Sequence, residues 1–112
     1  MQLTREQILA LPAGPELDAL VATAIGALGK CWNAPPYYSR SEGAAFLAVD
    51  ALAALGCGLI LEDWRSLAGA PGPWAARFDL PDGHDTGTAL GQSAAHAIAR
   101  AILLAKEILD AA

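Results

Sequence analysis

The stretch from Ser93 to Asp110 constrains this chain more than any other part of it. Ala94, Ile98, Ala101, Ile102, Ala105, Ile108 and Leu109 recur at three- and four-residue steps, which predicts one long amphipathic helix with a continuous apolar stripe. The opposite stripe carries His96, Arg100, Leu103 and Glu107. A leucine among charged residues, with Leu104 beside it, points to contact beyond the core of one chain. Leu103, Leu104 and the loop residue Trp32 are therefore the expected interface contacts.

Upstream, Thr4-Arg5-Glu6-Gln7 matches a capping box, so a short helix should begin at Arg5. Leu11-Pro12-Ala13-Gly14-Pro15 ends it and places Pro15 in the first turn of a second helix. That helix presents Leu17, Leu20, Val21, Ala24, Ile25 and Leu28 on one face. Gly29 to Pro36 reads as a loop around Trp32. Ser39 or Ser41 then caps a third helix running through Ala44, Ala45, Phe46, Val49, Leu52, Ala53 and Leu55, with Gly56 as its stop.

Two strands follow. Cys57 to Trp64 places Cys57, Leu59 and Leu61 on one face and Ile60 on the other. After a Gly-Ala-Pro-Gly-Pro turn, Trp74 to Asp79 alternates cleanly, with Trp74, Ala76 and Phe78 facing one way and Ala75, Arg77 and Asp79 the other. Thr86 to Ala89 either adds a third strand or leads into the last helix. The expected class is α+β, a small antiparallel sheet of two to three strands sandwiched by helices in α-β-α layers, with at least one sheet edge open.

Composition decides what such a domain can do. Its 112 residues suit one domain, and 54% of them are hydrophobic against 17% charged, a surplus that a small surface cannot hide. Self-association is the expectation, tempered by how much of the surplus is alanine. A net charge of −5 with no basic run opposes nucleic-acid binding. No apolar window long enough to span a membrane occurs, and the first residues lack a signal-peptide layout, so the expected location is cytoplasmic. Cys31 and Cys57 have no metal-site spacing and are expected as reduced thiols.

The segments Thr4 to Gly14, Glu16 to Ala22, Tyr38-Ser39, Ala44-Ala45-Phe46, Trp74 to Phe78 and Ala97 to Leu103 together resemble the phage ABA-sandwich domain family over nearly the whole chain. Family members often carry tryptophan where this chain has Phe46, and an aspartate near Arg40 and Ser41. The resemblance implies helix, sheet and helix layers and a phage or prophage origin. It also implies a counter-defence role, since some small phage proteins of related architecture sequester cyclic nucleotide-type signals.

Catalytic patterns are lacking. His84 lies in a Gly-His-Asp turn and His96 on the last helix, neither beside a nucleophile. Asp82, His84 and Asp85 form a weak metal pattern, Glu62 and Asp63 point to opposite faces of a strand, and no phosphate-binding glycine loop is present. No cofactor is expected.

What remains is a set of aromatics and arginines: Trp32, Tyr37, Tyr38, Arg40, Trp64, Arg65, Trp74, Arg77 and Arg100. Stacking faces and guanidinium forks suit a base and a phosphate. Tyr38, Ser39, Arg40, Trp74, Arg77 and Arg100 are the expected ligand-binding residues, with Ser39 near a helix N-terminus that favours an anion. The chain is thus expected to be a non-enzymatic oligomer that sequesters a nucleotide-derived immune signal, or alternatively an inhibitor of a host defence protein or a phage accessory protein of another role.

Overall fold

A computed structural model describes residues 3–26, 36–64 and 74–111. Trp32, Cys31 and Arg65 lie outside the described residues, as do the expected turns around them. The class is α+β: helices α1 (Arg5–Ala10), α2 (Pro15–Ala24) and α3 (Glu42–Ala53), strands β1 (Gly58–Asp63), β2 (Trp74–Asp79) and β3 (Ala89–Gly91), and helix α4 (Ala94–Ala111).

Local chemistry explains the element ends. At α1 the Gln7 amide donates to Thr4 Oγ1 at 3.1 Å and the Thr4 amide to Gln7 Oε1 at 2.8 Å, a complete capping box. Pro15 opens α2, where a missing amide proton costs nothing. Ser41 caps α3 by accepting from the Ala44 amide. Gly56, at φ +87°, ends that helix in a left-handed turn, with Cys57 N donating to Leu52 O and Gly56 N to Ala53 O.

The sheet is antiparallel in the order β1-β2-β3. Its register sets Leu59 opposite Phe78, Leu61 opposite Ala76 and Ala76 opposite Ala89. These residues share the face that meets the core, to which Phe78, Ala76, Ala89, Leu59, Leu61 and Trp74 all contribute. Ile60, Glu62, Ala75, Arg77 and Leu90 lie on the other face, as period-two alternation requires.

Helix α4 holds the middle of the described chain. It packs on β2 and β3, and α1, α2 and α3 also contact it. Its residues from Ala94 to Ala99 and Ala101 to Ala105 are all buried, a run that covers every side of the helix. This corrects the expected exposure of its second stripe. Leu103, at 6% exposure, and Leu104 pack inside the chain against Ile8 and the rest of the core, so neither offers surface to a partner. Two-sided burial also explains the alanines: at Gly91 any Cβ would strike the backbone of Ala97 and His96, so sheet and helix touch almost backbone to backbone.

Candidate functional site

The first cluster of expected site residues is built around a carboxylate that sequence reasoning passed over. Asp18, in the first turn of α2, is 1% exposed. Its Oδ1 accepts from the Ser39 amide at 2.7 Å and the Ser39 hydroxyl at 2.5 Å, and its Oδ2 from Arg40 Nη2 at 2.6 Å and Nε at 3.1 Å. The Ser39 oxygen also accepts from Gly14 N at 3.0 Å, which ties the turn before α3 to the start of α2. Arg40 lies over the Tyr37 ring at 4.0 Å.

A carboxylate therefore sits beside Ser39, but it belongs to the first turn of α2 and not to the N-terminus of α3, and the chain itself supplies it. Ser39 and Tyr38 are buried, and the Arg40 fork already holds both faces of its demand on Asp18. An external phosphate at this point would have to displace a buried carboxylate.

Arg100 has a second, separate task. Its Nε donates to the Leu11 carbonyl at 2.9 Å and its Nη1 to the Leu90 carbonyl at 2.6 Å, while His96 Nε2 meets the same Leu11 oxygen at 2.9 Å. Leu11 is the cap of α1, so this pair ties the α1–α2 junction and β3 to α4. Burial lowers the His96 pKa, the Arg100 charge lowers it further, and the bond to Leu11 opposes both.

Trp74 and Arg77, three residues apart on β2, point to opposite faces of the sheet. Trp74 is half-buried against the core, whereas Arg77 lies on the far face, 3.8 Å from Glu62, with its Nε buried and without a hydrogen-bond partner among the described residues. The six expected ligand residues are thus spread over the α2–α3 junction, the α4–β3 contact and both faces of β2.

The His84 turn is built by its own side chains. Asp82 accepts from the His84 amide and pairs with its ring, which lowers the Asp82 pKa, and Asp85 Oδ1 accepts from Gly87 N. Among the described residues no group of three His, Cys, Asp or Glu side chains could hold a metal ion. Cys57 is a free, buried thiol whose pKa burial raises.

Two open cavities flank the end of α2. One, of about 290 Å³, is lined by Leu3, Ile8, Leu20, Leu103 and Lys106 among others, and the other, of about 410 Å³, by Ile25, Ala51, Leu52, Leu55 and Lys106. None of the expected ligand residues lines either. Lys106 is paired with Asp110 at 3.1 Å.

The least expected feature is the outer face of α3. Ala45, Ala48 and Leu52 are buried on one side, but Phe46 and Leu47 stand 45% and 64% exposed on the other. Leu55 and Tyr37, beyond the two ends of the helix, are exposed as well. The sequence places Phe46 and Leu55 on this helix without assigning either to a face. It could not do better, because α3 is apolar at almost every position and offers no contrast from which to orient a stripe.

Among the described residues no helix is long and apolar enough to cross a membrane. Neither protein-family models, curated proteins nor solved structures yielded a match to this chain.

Proposed function

We propose that this chain is a non-catalytic binding protein that docks a partner protein on the outer face of α3. One observation carries the reading: α3 is covered on one side only, and its outer face leaves the large apolar side chains of Phe46 and Leu47 exposed. Glu42, Phe46 and Asp50 succeed each other at four-residue steps, so the exposed aromatic is flanked by carboxylates. A second copy laid on this face would bring like charges together. The surface fits a partner that is apolar at its centre and basic at its rim, as protein surfaces that hold nucleic acid are, and the net charge of −5 supports the same choice. In the setting implied by the resemblance to phage ABA-sandwich domains, that partner is a host defence protein and the chain its inhibitor.

The test is a pull-down from bacterial lysate with the wild-type chain and with Leu47→Glu, the captured protein being identified and challenged with DNA. Capture that nucleic acid competes away and that Leu47→Glu abolishes supports the reading. Capture unaffected by either, or no capture, removes it.

A second reading, sequestration of a nucleotide-derived signal, is favoured by the Arg77 Nε on the far face of the sheet, which has no hydrogen-bond partner among the described residues. Thermal-shift screening against cyclic di- and trinucleotides tests it. Stabilisation that Arg77→Gln removes supports it, and no stabilisation by any of them ends it.

A further inference from the structure

We infer that β1 is a self-association edge, across which two copies of this chain join their sheets into one continuous six-stranded sheet. The two edges of the sheet differ in how they are protected. At one edge β3 is only three residues long, with Gly91 pressed against α4 and the Leu90 carbonyl bonded to Arg100. Short length and a covering element are how natural sheets blunt an edge.

Among the described residues the other edge has neither. β1 runs the six residues Gly58–Asp63 and, among the described residues, pairs with β2 alone. It contains no proline or lysine, the usual guards of an exposed strand. It is also the one named strand with no buried residue: Leu59, Ile60 and Leu61 are each left half-covered, whereas β2 buries Ala75, Ala76 and Phe78. A row of backbone groups that no described residue covers, lined from Leu59 to Leu61 by half-covered aliphatic side chains and charged only at its far end, is a template for another strand.

Side chains choose the partner, and they fit a second β1. Antiparallel pairing about a two-fold axis through Ile60 sets Ile60 opposite Ile60 of the second copy, Leu59 opposite Leu61, and Gly58 opposite Glu62. No two carboxylates face each other in the span from Gly58 to Glu62, and Glu62, opposite a glycine, keeps its place beside Arg77. Directly opposed residues share a sheet face, so both α4 helices fall on the same side of the joined sheet and both Ile60 side chains meet on the other. Shifting the centre to Leu61 would set Ile60 opposite Glu62 and lose this match.

The experiment is sedimentation or light scattering over a wide concentration range, joined to hydrogen exchange of the β1 amides at its two ends. Ile60→Glu is the disrupting variant: within one chain the new carboxylate lies across from Arg77, which supports folding, but in the pair two carboxylates oppose each other. Ile60→Thr, which keeps a β-branched strand former, is the control. A dimer whose β1 amides slow with concentration, weakened ~tenfold or more by Ile60→Glu and little by Ile60→Thr, is the expected result. A monomer at every concentration, or a dimer whose β1 amides exchange at the monomer rate, overturns the inference.

Discussion

Asp18 and Arg40 meet at 2.6 Å across the α2–α3 junction, with the carboxylate buried and the guanidinium half in solvent. The pair fixes where the chain leaves the turn before α3, because Ser39, next to Arg40 in the chain, bonds the other oxygen of the same carboxylate through its amide and its hydroxyl.

Replacing Asp18 by alanine leaves the Ser39 amide buried without its acceptor and its hydroxyl with only the Gly14 carbonyl, 3.3 Å away, and the expected loss is about 2–3 kcal/mol in urea unfolding. Arg40→Ala should be milder, at about 1 kcal/mol, since the exposed end of that pair is screened by water and Ser39 still holds the carboxylate. Equal losses for the two variants would contradict this division of labour.

The lowered pKa of His96 makes stability depend on pH. Folding favours the neutral ring, so the unfolded chain takes up a proton first as pH falls; stability is then full above the unfolded value near 6.5 and declines below it. Urea midpoints measured between pH 7.5 and 5 should fall on acidification, and His96→Gln should flatten that part of the decline.

Gly91→Ala is expected to destabilise by about 2 kcal/mol or more, because the added methyl meets the backbone of α4 and no side chain can move aside for it. Gly58→Ala is the matched control, since a Cβ there meets nothing within 4 Å. Its thermal midpoint should stay near that of the wild type or rise slightly.

Leu103→Ala should cost about 2–4 kcal/mol as a cavity in the core. Leu47→Ala should change stability by less than about 0.5 kcal/mol, because that side chain faces solvent. Chemical denaturation of both distinguishes the helix that is buried on all sides from the one that is not.

What could be read in the sequence was whatever local chemistry decides. The Thr4–Gln7 box, Pro15 at a helix start, Gly56 at a helix end and the two faces of β2 all stand where spacing placed them. The failures share a cause. Leu103 lies in the core instead of on an outer stripe, and the exposure of Phe46 could not be read at all, because burial of a helix face is settled by what packs on it, and neither the double coverage of α4 nor the single coverage of α3 leaves a mark in the helix itself. Asp18 went unnoticed for a related reason. It lies among exposed polar positions of α2 in sequence, and only the arrival of Ser39 and Arg40 from 21 and 22 residues away makes it a buried acceptor.

The Leu11 carbonyl bears on how the chain folds as well as on what it looks like once folded. It receives His96 and Arg100 across separations of 85 and 89 residues, so the first helix and the last complete each other only after most of the chain is in place. A helix of six residues such as α1 does not persist by itself in water, and without it α4 has two donors facing an absent oxygen. The N-terminal turn is therefore the closing piece of a single cooperative unit, and a chain trimmed of its first eleven residues should lose the whole fold together.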